Sequence, residues 1–150
     1  MIENRTNWIE IFVKKIENED MGEFPETILK KFFDDKILDE KKRKIFDDQI
    51  FSFSFVFDET LFLKDQDEKV ENIKIFIGFS EKEINLNKND TIKFLFIISF
   101  PSNQKTRYLE LLGYLKRLLS SKNFKQKIFG AKDEFEIKEI FEKELNDLET

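Results

Sequence analysis

Apolar residues recur at two different periods along this chain, and the changes of period mark out its predicted elements. Between Asn7 and Glu17, the residues Ile9, Phe12, Val13 and Ile16 stand at helical spacing with Trp8 beside them, which predicts a first helix. Met21-Gly22-Glu23 breaks it. Pro25 suits the first turn of a second helix, whose apolar face continues through Ile28, Leu29, Phe32, Phe33 and Ile37. The charged stretch from Asp39 to Lys44 is compatible with a further helical turn. From Phe51 the period falls to two. Phe51, Phe53, Phe55 and Phe57 alternate with Ser52, Ser54 and Val56, as a half-buried strand does. Leu61 to Asn72 is mostly charged and reads as a loop. Ile73, Ile75, Ile77 and Phe79 predict a second strand. Ile84 and Leu86 suggest a short extra one beside a turn at Asn87 to Asp90. Ile92 to Phe100 is apolar on both faces, which predicts a central strand covered on two sides.

Helical spacing then returns. Pro101-Ser102-Asn103 ends the strand, and Ser102 or Asn103 can cap the next helix. Its buried stripe is Tyr108, Leu111, Leu112, Leu115 and Leu119. Phe124 to Phe129 predicts a short helix closed by Gly130. Asp133 and Glu136 have the spacing of a capping box. The last helix buries Ile137, Ile140, Phe141, Leu145 and Leu148. Helices segregated from strands predict a layered α+β domain. No repeat or Pro/Gly-rich linker divides the chain, so residues 1–150 are expected to form one domain.

Composition narrows the chemistry. Hydrophobic residues make up 40% and aromatics 15%, too apolar for a disordered chain. No apolar run approaches the roughly 18 residues of a membrane helix. The N-terminus lacks the basic start and apolar stretch of a signal peptide. No membrane insertion and a cytoplasmic location are therefore expected. There are no cysteines, which excludes disulfides and thiolate chemistry. There are also no histidines. That removes Ser-His-Asp catalysis, His-ligated zinc and phosphohistidine together. Gly22, Gly78, Gly113 and Gly130 lie too far apart for a phosphate-cradling loop. No cofactor and no metal are expected.

The net charge of −5 conceals an asymmetry. From Ser102 to Lys132 the bases Lys105, Arg107, Lys116, Arg117, Lys122, Lys125, Lys127 and Lys132 face Glu110 alone. From Asp133 onward acids dominate. Two solvated helix faces that attract each other explain this pattern, and so does a basic surface that docks an acidic partner.

The second half of the chain resembles the IIA domains of the mannitol/fructose class (type 2) of the bacterial sugar phosphotransferase system, and their nitrogen-related regulatory relatives. Ile92-Lys93-Phe94-Leu95-Phe96-Ile97-Ile98 resembles the family's central strand. Tyr108-Leu109-Glu110-Leu111-Leu112-Gly113-Tyr114-Leu115 resembles its His-Leu-x-x-Leu-x-x-Leu helix start. Phe129 to Ile137 resembles its final capped helix. Upstream, the family's arginine is followed about sixteen residues later by histidine in a Ser-Ile-Ala-x-Pro-His-like strand end. Here Arg43 is followed by Glu59 in Ser54-Phe55-Val56-Phe57-Asp58-Glu59, with an apparent insertion after it that lets the register slip toward Thr60 or Leu61. The family's first strand has no counterpart before Asn7.

The resemblance implies a three-layer α/β/α domain with a small mixed sheet. It also implies a vestigial phosphotransfer site at Arg43, Glu59 and Tyr108, with the two histidines replaced by Glu59 and Tyr108. In the family the first histidine takes phosphate from the carrier protein HPr. A chain without it is expected to be a non-catalytic regulatory or partner-binding relative, a pseudoenzyme. Glu59 near Arg43 could imitate the phosphorylated state, and is otherwise an ordinary exposed carboxylate. Tyr108 is otherwise a core-edge residue and Arg43 one of a basic run with Lys41, Lys42 and Lys44. A protein partner is expected, such as a phosphotransferase component or a regulated transporter or kinase. Two alternatives remain at this stage. One is an unrelated enzyme or metal-binding protein using acid pairs such as Asp34-Asp35 and Asp47-Asp48. The other is a nucleic-acid-binding module using the bases between 105 and 127, although the whole chain is acidic.

Overall fold

The computed structural model describes residues 9–15, 26–53, 55–57, 59–85 and 91–149. Its first element is a strand, β1 (Ile9–Lys15), where the apolar spacing predicted a helix. Ile9 and Ile11 are buried and Glu10 is exposed, so period two won over period 3.6. The same residues satisfy both periods, and a sheet neighbour decides between them. Trp8, Ile16, the Met21–Glu23 break and Pro25 lie outside the described residues.

Helix α1 (Glu26–Asp34) buries Leu29, Phe32 and Phe33 as expected. It ends in a left-handed residue, Lys36, at φ 58°. The Lys36 N–H donates to Phe33 O at 3.0 Å and the Ile37 N–H to Phe32 O at 3.0 Å, which satisfies the last carbonyls. Asp39 then caps a 3-10 turn (Glu40–Lys42), accepting from the Lys41 N–H, and the turn leads into α2 (Arg43–Phe53). The chain expected to begin a strand at Phe51 is thus helical through Phe53. Phe46, Ile50 and Phe53 are also at helical spacing, so the alternation of Phe51 and Phe53 did not decide the matter.

Only β2 (Phe55–Phe57) remains of that predicted strand, and it pairs antiparallel with β3 (Thr60–Gln66). The segment Leu61–Asn72, read as a loop, therefore begins with a strand. Leu61, Phe62 and Leu63 are buried in it. Among the described residues the pairs run from Phe57↔Thr60 to Phe55↔Phe62. Two residues further along β3, the Gln49 amide donates to Lys64 O at 2.6 Å and accepts from the Lys64 N–H at 2.9 Å.

β4 (Ile73–Asn85) and β5 (Thr91–Phe100) complete a five-stranded sheet of order β1-β4-β5-β3-β2. Ile84 belongs to β4 rather than to a separate strand, and Leu86 and the turn after it lie outside the described residues. Glu59 O accepts from the Lys93 and Phe94 N–H groups at 2.7 and 3.2 Å, and the Asp67 N–H donates to Phe100 O at 2.9 Å. These bonds join β3 and β5 start to start and end to end, so the two run parallel. The sheet is mixed, and the expected α+β fold holds. β5 sits in its middle, as its two-sided apolar pattern predicted, and every residue from Phe94 to Phe100 is buried.

After a 3-10 turn (Ser102–Gln104) come α3 (Lys105–Leu119), α4 (Lys122–Phe129) and α5 (Glu134–Glu149). Ser121 caps α4 and Asp133 caps α5, accepting from the Glu136 N–H at 2.9 Å. Neither Ser102 nor Asn103 caps α3; its N-cap is Gln104, which makes no side-chain cap bond. Among the described residues no helix is long and apolar enough to cross a membrane.

The described residues among 14–64 and 76–97 group into one compact unit, and those among 9–13, 65–75 and 98–149 into another. In the first, Phe32 meets Phe76 edge-on at 5.6 Å, and Phe79–Phe94 and Phe62–Phe96 pack at 5.2 and 5.5 Å. In the second, Phe100 stacks on Tyr108 at 4.2 Å and Phe124 meets Phe141 at 5.1 Å. Ring pairs of this kind add about 0.5–1.5 kcal/mol each beyond the area they bury.

Candidate functional site

In the first unit, Arg43 opens α2. Its Nε donates to Glu40 Oε1 at 2.5 Å and its guanidinium lies 4.5 Å over the Phe33 ring. An exposed pair one turn apart contributes about 0–1 kcal/mol, so these contacts orient Arg43 more than they stabilise the fold. Glu59 lies in the connection between β2 and β3, where Phe57 pairs with Thr60. A hairpin this tight needs left-handed backbone, and Glu59 supplies it at φ 62°. A non-glycine residue there costs about 1–2 kcal/mol. The two bonds from β5 to its carbonyl hold it in place.

In the second unit, Tyr108 lies on the buried face of α3, stacked on Phe100, the last residue of β5. Burial raises its phenol above the ordinary value of 10, so the hydroxyl is neutral at physiological pH. The entrance to this helix is organised from the β3–β4 connection. The Ser102 N–H and Oγ donate to the Glu68 carboxylate at 3.1 and 2.9 Å. Gln104 Nε2 donates to Glu71 O at 3.1 Å. The bonds from the Ser102 backbone and hydroxyl hold the Glu68 carboxyl below its usual 4.5.

Close in sequence to this entrance is a carboxylate that pattern reading missed. Asp65, near the end of β3, is only 3% exposed and accepts from Ser99 Oγ at 2.5 Å. Reading 61–72 as a loop made Asp65 an ordinary surface acid. The signal was there in the alternation: Leu61, Leu63 and Asp65 share one face of β3, so a strand places Asp65 inward. Ser99 is the matching cue, a hydroxyl inside the otherwise apolar β5.

The acid pairs behave as surface residues. Asp34 is exposed, Asp35 is bonded by Lys14 Nζ, and Asp47 and Asp48 lie on α2. Among the described residues no group of three or more His, Cys, Asp or Glu is placed to hold a metal ion. The basic segment spans α3 and α4, and part of its charge is met inside the unit. Lys127 Nζ lies 3.7 Å from Glu144 of α5, and Arg117 lies 5.6 Å over the Tyr114 ring, whose hydroxyl donates to Glu144 O at 2.9 Å.

The segment from β3 to α5 that carries Asp65, the helix entrance and Tyr108 is also the part that matches a known family. Residues 63–144 match the family described as Phosphoenolpyruvate-dependent sugar phosphotransferase system, EIIA 2. The chain belongs to that family. Tyr108 falls inside the matched segment, and Arg43 and Glu59 precede it. The fold agrees. Nitrogen regulatory protein IIA-Ntr from Neisseria meningitidis superposes with a TM-score of 0.58 over 89% of this chain and 92% of that one, at 13% identity. At that identity the likeness is one of fold. No curated protein matches the chain.

Proposed function

We propose that this protein is a regulatory, partner-binding member of its phosphotransferase family that carries no phosphohistidine and has no catalytic activity of its own. One observation carries the proposal: a chain of the EIIA 2 family contains no histidine at any of its 150 positions. Neutral imidazole nitrogen is a good nucleophile at neutral pH, and no other side chain reproduces both its basicity and its reactive adduct. The residues present at the α3 entrance support binding rather than transfer. Tyr108 is packed against Phe100 and kept neutral, and Glu68 is engaged by Ser102.

Within this proposal the whole chain acts as one cytoplasmic IIA-like domain. Arg43, Glu59 and Tyr108 stand in its sequence where the family carries its phosphotransfer residues, and its partner is a protein. Incubation with enzyme I, HPr and labelled phosphoenolpyruvate is expected to leave the chain unlabelled while HPr is labelled. Stable label on this chain would overturn the proposal. Glu59→His is also expected to stay unlabelled, because Tyr108 still stands in place of the second histidine. Labelling of that variant would show that only the acceptor is missing.

A further inference from the structure

Among the described residues one charged side chain lies in the core, and it is not one that the family resemblance assigned. Asp65 is 3% exposed and accepts from Ser99 Oγ at 2.5 Å, and Ser99 is 1% exposed. Taking a carboxylate out of water costs several kcal/mol before its bonds are counted, so its position calls for a reason. That position is the carboxyl end of β3. There β3 and β5 end together, joined by the Asp67 N–H on Phe100 O at 2.9 Å. Phe100 carries the stacked ring of Tyr108, and Ser102 to Gln104 lead into α3. A second polar group marks the same end: Gln104 Oε1 is buried and accepts no hydrogen bond. Asp65, Ser99, Gln104 and Tyr108 all belong to the second unit. Sheets with parallel strands gather their ligand sites just outside such carboxyl ends.

Glu59 stands where these strands begin. It precedes β3, and its carbonyl takes the N–H groups of Lys93 and Phe94 near the start of β5. With Arg43 it belongs to the first unit. The family match draws the same line: it begins at residue 63, so it takes in Asp65 and Tyr108 and leaves out Arg43 and Glu59. We propose that Asp65, and not Glu59, occupies in the fold the place of the family's phosphate acceptor. The proposal rests on the phosphotransferase reading of the chain and moves the acid within it. Spacing in the sequence points to Glu59 because it follows β2, but β2 has only 3 residues, and the strand that runs beside β5 is β3. Asp65 closes the place rather than working it. Its carboxylate already takes the Ser99 hydroxyl, and its burial shuts it off from a phosphoryl donor.

The test compares two double variants, Asp65→His with Tyr108→His and Glu59→His with Tyr108→His. Each is incubated with enzyme I, HPr and labelled phosphoenolpyruvate, and its folding is checked by circular dichroism. In a competent variant the bond from phosphorus to HPr breaks as one to the new imidazole nitrogen forms. Label is expected on the Asp65 pair and none on the Glu59 pair. Label on the Glu59 pair, or a folded Asp65 pair that stays blank, overturns the proposal. A histidine at a buried position can prevent folding, so wild type is also read directly, by nuclear magnetic resonance of the isotope-labelled chain titrated with HPr. The amides expected to shift are those of Gln66 to Glu68 and of Ser102 to Tyr108. Shifts centred on Phe57 to Thr60, or none at either end, overturn the proposal. Wild type that takes label would overturn the non-catalytic reading, and the residue that carries it, Asp65 or Glu59, would still decide between the two acids.

Discussion

The stretch from Ile92 to Leu145 and the stretch from Ile9 to Gln66 are alike in apolar content, and they show how differently a sequence can speak about its structure. In the first, the deciding interactions are local. Leu111, Leu115 and Leu119 face the core because they share one side of α3, and Asp133 caps α5 from three residues before the N–H it meets. In the second, they come from elsewhere in the chain. β1 is a strand because β4, almost sixty residues on, lies beside it. α2 runs on through Phe53 although Phe51 to Phe57 alternate, and β3 forms in a stretch whose charges suggested a loop.

The contrast can be broken most forcefully at its clearest point. Phe96 is fully buried in β5, the middle strand. Phe96→Asp is expected to cost more than about 4 kcal/mol and leave the chain unfolded by circular dichroism, because an unpaired charge has no partner there. A folded variant with unchanged melting would mean that the most legible element was misjudged. The strand assignment of β1 is tested next. Ile11 is 3% exposed and Phe12 is half-buried. Ile11→Ala should cost about 2–5 kcal/mol by urea titration, more than Phe12→Ala. The reverse order would favour a helix.

Smaller effects sharpen the contrast at two helix starts. Asp133→Ala removes the cap of α5 and should cost about 1 kcal/mol in the same titration. Glu68 serves the start of the turn into α3 from a distant loop, and its part is read through pH. Its folded value is held below 4.5, so its contribution is fully present above that pH and is lost as pH falls through the folded value. In melts between neutral pH and pH 3, wild type should lose stability relative to Glu68→Gln only on the acid side. Parallel curves would show that the bonds from Ser102 do not distinguish the charged from the neutral form.

The fold class, the central strand, α1 and the three last helices were legible because their patterns allow one period each. β1 was not, because Ile9, Phe12 and Val13 fit a helix while Ile9, Ile11 and Val13 fit a strand. At the site, Tyr108 was legible as part of a helical stripe, while its stacking on Phe100 depends on where β5 ends. Asp65 was hidden by the loop assignment around it. Glu68 was hidden for a different reason: nothing near it in sequence shows that Ser102, thirty-four residues on, is its partner.

The short β2 leaves one further mark on how this molecule behaves in company. At Lys64, beyond the described pairs of β2, a backbone left without a partner is the kind of margin that recruits a stranger's strand, the event that seeds aggregation in many sheet proteins. Gln49 forecloses it by engaging both hydrogen-bonding groups of Lys64 with one side chain. Gln49→Leu keeps a similar bulk but uncovers that ledge. Light scattering of concentrated, warmed samples should then rise faster for the variant than for wild type, even where the two melt alike. That outcome would make a single amide a guard against misassembly, a service that only a crowded solution makes visible.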